Sequence, residues 1–170
     1  FAELIATLRH ALLDREVHPT YYVLRAWPVA IVPTLGIATI ASIIAQLAGA
    51  DYLFHESQWG NLFEMSSAML LLQIVIVAPI LETLLMAPLL ALFVRVLPRR
   101  RYAVLASASV WAILHSLSAP IWGVCIFWTF VVFSTAFLVW REVSLWHALG
   151  VTVAIHALNN ALAGLGLAFS

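Results

Sequence analysis

The run VAIHALNNALAGLG, from Val153 to Gly166, places one histidine and two asparagines inside an otherwise apolar stretch. His156 and Asn160 are spaced i, i+4 and share one face of a helix, with Asn159 beside them. Two other apolar stretches carry one strongly polar residue each, Glu82 in APILETLLMA and His115 in WAILHS. A carboxylate, two imidazoles and a carboxamide are a set suited to proton chemistry. The acid accepts a proton from water, a histidine holds that water or relays the proton, and His156 with Asn160 donates hydrogen bonds to a developing oxyanion.

Their depths agree. Glu82 lies 13 residues from Arg95, His115 lies 14 from Arg101 and His156 lies 15 from Arg141. At about 1.5 Å per residue each distance is roughly 20 Å, so three helices bring their polar side chains to one layer. A carboxylate at mid-membrane costs about 2.5–3.5 kcal/mol on insertion scales, so Glu82 needs partners or a proton. Three other uses of the set stay open on the residues alone. One is an interhelical clasp, worth about 0.6 kcal/mol per contact. Another is a zinc site made of Glu82, His115 and His156, although HExxH, CxxC and other close-spaced ligand pairs are missing and no cofactor is expected. The last is a proton relay or small transporter built on Glu82.

The elements that must position these residues are membrane spans. Hydrophobic residues make up 64% of the 170, charged ones 9%, and mean hydropathy is +1.04, which excludes an ordinary soluble domain, where about a quarter of residues are charged. Apolar runs cover Trp27 to Ala48, Ser66 to Val94, Ile121 to Trp140 and Trp146 to Phe169, with a shorter one from Tyr102 to Ser118. The expected fold is all-α, a polytopic transmembrane bundle of about five spans plus an amphipathic N-terminal helix along the interface, in a single domain. Pro79 makes the second run either one long tilted helix or two pieces. Gly150, Ala154, Ala157, Ala161 and Gly164 are expected to let neighbouring helices approach the last span closely.

Arginine placement sets the expected orientation. Arg9, Arg15 and Arg25 precede the first span, Arg95 and Arg99 to Arg101 follow the second and Arg141 follows the fourth, while the loop from Asp51 to Glu64 is only acidic. The positive-inside rule then gives five crossings with the N-terminus cytoplasmic. Trp27, Trp59, Trp122, Trp140 and Trp146 fall near span ends, as an aromatic belt does. His10, His18, His55 and His147 sit at or outside those ends, Gln46 and Gln73 read as helix-contact residues, and Cys125 reads as a small buried hydrophobe. Zero formal charge and the absence of lysine give no footprint for nucleic acid.

These motifs resemble the CPBP intramembrane proteases, the CAAX-processing and bacteriocin-processing family, whose core helices carry EExxxR, FxxxH and HxxxN in that order. LETLLMA supplies the first with Glu82 at the leading acid, WAILH from Trp111 to His115 the second with Trp for Phe, and HALNN from His156 to Asn160 the third. The resemblance spans about residues 70–163. It implies a glutamic-type endopeptidase in which Glu82 and His115 activate water and His156 with Asn160 forms the oxyanion hole. The substrate would be a membrane-associated protein or peptide precursor, and the setting a bacterial plasma membrane. Thr83 stands at the second acid and Ala87 at the arginine of the first motif, an i, i+4 pair lost jointly. A standard CAAX substrate therefore does not follow, and a catalytically silent peptide-binding, immunity or scaffold protein is the alternative.

Overall fold

The N-terminal helix ends in carbonyls that need donors, and the next helix supplies them. In the computed structural model, which describes residues 2–54 and 65–168, α1 spans Ala2–Leu13 and α2 spans Pro19–Leu47. Tyr22 donates its hydroxyl to Leu12 O at 2.7 Å, and Arg25 donates to Ala11 O at 3.1 Å and Asp14 O at 2.9 Å. Orphan carbonyls at a helix C-terminus are thereby satisfied by side chains. α2 begins eight residues before the expected span because His18 caps it, its Nδ1 accepting from Thr20 N–H, and Pro19 needs no donor at the first position. Its 29 residues make about 43 Å, more than the roughly 30 Å of a hydrocarbon core.

Pro33 inside α2 removes the N–H that would serve the Val29 carbonyl. That carbonyl accepts from the Trp128 indole at 2.8 Å, so a neighbouring helix replaces the lost donor. One turn on, Thr34 donates to Ala30 O at 2.9 Å and accepts from Thr129 at 2.6 Å. Both contacts fix α2 against the central helix.

After a 3-10 turn over Asp51–Phe54, the chain forms one rod: α3 (Ser67–Leu71), a π-helical stretch (Leu72–Val77) and α4 (Ala78–Val96). The rod is neither broken nor purely α-helical at Pro79. Ahead of the proline the hydrogen bonds lengthen by one residue, Ala78 N–H reaching Gln73 O, which is how a helix can admit a residue lacking a donor. α5 (Arg100–Ser116), α6 (Trp122–Arg141) and α7 (Leu145–Ala168) complete the bundle. Among the described residues there is no strand.

Four helices, Pro19–Leu47, Ser67–Val96, Trp122–Arg141 and Leu145–Gly166, are long and apolar enough to cross a bilayer. The chain is a membrane-embedded all-α bundle, in which α5 is a shorter fifth member of about 25 Å. α6 is central, packing against α2, α5 and α7. Ser134 donates to Ser107 at 3.1 Å to hold α5. At the turn into α6, a Cβ on Gly123 would overlap the Ala112 carbonyl and Ser116 Oγ, so only glycine permits that approach. At the arginine-bearing end, Glu142 pairs with both Arg15 and Arg100, drawing α1, α5 and α6 together.

Several expectations are corrected. Trp140 belongs to the core, not to a belt: it is buried, edge-on to Tyr22 at 5.4 Å and stacked on His147 at 6.0 Å, whereas Trp146 is 79% exposed. Gln46 and Gln73 are exposed rather than packed at helix contacts, and Gln46 donates to Ser42 of its own helix at 3.5 Å. Gly150 has nothing within 4 Å of a Cβ position, whereas Gly164 is closely approached by the rod and Ala154 packs against the core. Cys125 is buried, and His10 and His147 are exposed near helix ends as read. His55 and Trp59 lie outside the described residues.

Candidate active site

Three of the four candidate side chains meet. Glu82 projects from α4 less than one turn after Pro79, His115 stands in the last turn of α5 and His156 in the middle of α7. Glu82 Oε2 lies 3.7 Å from His156 Nε2 and 3.9 Å from His115 Nε2. His156 is 5% exposed at its side chain, Glu82 21% and His115 26%, so the cluster is closed on the α7 side and open on the side shared by α4 and α5.

The His115 ring is held in one orientation. Its Nδ1 is 2.8 Å from the Trp111 carbonyl, and because a carbonyl only accepts, Nδ1 carries the proton in the neutral ring. Nε2 then presents a lone pair toward Glu82. Glu82 Oε2 has no hydrogen-bond donor among the described residues. Two lone-pair carriers at 3.9 Å repel unless a proton lies between them, on the carboxyl, on the imidazole, or in a hydroxylic molecule that donates to both. The geometry suits abstraction of a proton from such a molecule.

Aromatic rings wall the cluster from behind. Phe133 lies against the His156 ring at 4.4 Å between centroids, and Phe130 meets His156 at 5.8 Å and His115 at 5.4 Å. Trp111 stacks on Phe130 at 5.0 Å with planes 5° apart. This wall excludes water from one side and lowers the local dielectric, which strengthens every charge interaction within. Phe130 and Phe133 were not singled out in the sequence: i, i+3 phenylalanines on an apolar helix are the ordinary pattern of core packing.

Asn160 is one turn along α7 from His156, and its Nδ2 donates to Ile74 O at 3.1 Å, in the π-helical stretch. Thr83 is buried facing the bundle, its hydroxyl without a partner among the described residues, and Ala87 packs against the core. Small side chains thus occupy both positions. Among the described residues no group of three or more His, Cys, Asp or Glu is arranged to hold a metal ion. No protein-family model, curated protein or solved structure matches the chain.

Proposed function

We propose that the chain is an intramembrane endopeptidase of the CPBP type, hydrolysing a peptide bond of a membrane-associated protein or peptide precursor. One observation carries the reading: a single carboxylate oxygen faced by two imidazole Nε2 atoms at 3.7 and 3.9 Å, one ring locked by a backbone carbonyl. A water between Glu82 and His115 gives a proton to the carboxylate as its oxygen attacks the scissile carbonyl carbon. His156, in the Nε2–H tautomer, donates to the oxyanion that forms. Collapse of the tetrahedral intermediate breaks the C–N bond, and Glu82 returns the proton to the leaving nitrogen, leaving a carboxylic acid and an amine. General-base assistance contributes about 10²–10⁴-fold and an oxyanion donor about 10²–10³-fold.

The arginine distribution supports a cytoplasmic N-terminus, with α1 along the inner face of a bacterial plasma membrane. Loss of the pair at Thr83 and Ala87 favours a dedicated substrate over a standard CAAX protein, and in its extreme form a silent peptide binder. Purified protein in lipid nanodiscs, incubated with a panel of precursor peptides and read by mass spectrometry, tests the reading. Wild type is expected to yield new termini that Glu82→Gln does not. Peptide binding with no cleavage by wild type would establish the silent alternative, and equal cleavage by both forms would remove Glu82 from the mechanism.

A further inference from the structure

The hydrogen bond from Asn160 does not join the Glu82 cluster; it closes a gap elsewhere in the backbone. In the π-helical stretch the bonds run from residue i to i−5, as Ala78 N–H to Gln73 O shows. The next donor in that register belongs to position 79 and its acceptor is Ile74 O. Position 79 is proline and has no N–H. The carbonyl left without its backbone donor is the one that Asn160 Nδ2 takes at 3.1 Å.

His156, Asn160 and Gly164 recur at i, i+4 and i+8 along one face of α7, and their contacts run backwards along the rod. His156 meets Glu82, Asn160 meets Ile74, and a Cβ on Gly164 would lie 3.2 Å from Val75, 3.3 Å from Leu71 and 3.6 Å from Ile74. α7 and the rod thus form an antiparallel zipper with Asn160 at its centre. On an uninterrupted α-helix residues 74 and 82 stand about 80° apart, at about 100° per residue. The additional residue of a π-turn takes back about 100° and brings them to within about 20° of one face. The π-turn therefore sets the rotation at which Glu82 leaves the rod.

We infer that Asn160 is a positioning residue: its amide stands in for the donor that Pro79 lacks, stabilises the π-turn at Ile74 and so holds Glu82 in phase with His156. The inference rests on the peptidase reading only for its catalytic consequence, since the latch itself is read without substrate. Asn160→Ala and Pro79→Ala, singly and together, test it. Pro79→Ala returns a backbone N–H to the gap, so the cost of losing Asn160 shrinks in that background. Asn160→Ala is expected to raise the unfolding equilibrium constant in mixed micelles by about threefold to twentyfold against wild type, and by much less against Pro79→Ala. With ¹⁵N-labelled histidine, the His156 ring signals move in Asn160→Ala toward those of Glu82→Gln, and return toward wild type in the double variant.

Gly164→Val, which forces the same zipper apart, is an independent variant in case Pro79→Ala does not fold, and it is expected to move the His156 signals likewise. Equal costs of Asn160→Ala in both backgrounds, or His156 signals unmoved in both Asn160→Ala and Gly164→Val, would overturn the latch. Where a cleavage assay exists, an oxyanion donor at Asn160 predicts a loss of kcat that Pro79→Ala does not relieve, whereas the latch predicts relief. Absence of cleavage by wild type counts against the peptidase reading and leaves the stability and ring-signal outcomes to decide the latch.

Discussion

Replacing Trp128 by Phe removes one N–H from the α2–α6 contact and keeps a ring of similar shape. The indole serves the Val29 carbonyl at 2.8 Å, which Pro33 has deprived of its own helix's donor. An interhelical hydrogen bond in a membrane averages about 0.6 kcal/mol and reaches about 1.7. A carbonyl left unpaired among apolar groups costs about 1–3 kcal/mol. Trp128→Phe is accordingly expected to cost about 1–2 kcal/mol, a fivefold to thirtyfold rise in the unfolding equilibrium constant. Reversible unfolding in mixed micelles measures it. Pro33→Ala restores an N–H to Val29, so the same Trp128→Phe step costs less than half as much in that background. An equal cost in both backgrounds would refute the claim that the indole compensates the proline, and the cost would then be one of packing alone.

Other perturbations reach the site and its supports. His115→Gln is expected to reduce cleavage about 10²–10⁴-fold and His156→Gln about 10²–10³-fold with KM little changed; near wild-type turnover in either would remove that ring from its role. Gly123→Ala forces α5 and α6 apart at the Ala112 carbonyl and is expected to destabilise the fold by about 1–3 kcal/mol, contradicted by an unchanged unfolding midpoint. Asp14 is held below the usual carboxylate range by the Glu16 backbone N–H and then by Arg25. A carboxyl depressed on folding stabilises above its unfolded pKa and loses that contribution as pH falls through its folded one. Hydrogen-exchange protection of α1 is therefore expected to decline below about pH 4, and Asp14→Asn to remove that pH dependence; a decline unaltered by Asp14→Asn would place the titrating group elsewhere.

What was legible in the sequence was what depends on one helix at a time. Length and hydropathy place the rod, α6, α7 and the C-terminal end of α2 within two residues, and counting from the arginines puts Glu82, His115 and His156 in a layer where they do meet. What escaped was decided between helices. Trp140 looks like a belt residue by position, but the α1–α2 hairpin that Arg25 and Tyr22 close brings Tyr22 over it. The eight residues added to the start of α2 come from the His18 cap and Pro19, short-range signals ahead of the apolar run. The π-turn was not readable from Pro79 alone, because a kink, a break and a register shift all answer a missing donor. Asn160 on another helix satisfies the carbonyl that the register shift exposes. Gln46 and Gln73 read as helix-contact residues by their polarity, yet both side chains are exposed.

In the proposed mechanism Glu82 and His115 act as a unit on one water. Turnover of a cleaved precursor by Glu82→Gln, His115→Gln and the double variant measures this most directly. Groups that share a single proton transfer give non-additive losses, so the double variant is predicted to be no slower than the worse single one. Losses that multiply, or a Glu82→Gln form that cleaves at the wild-type rate, would contradict it.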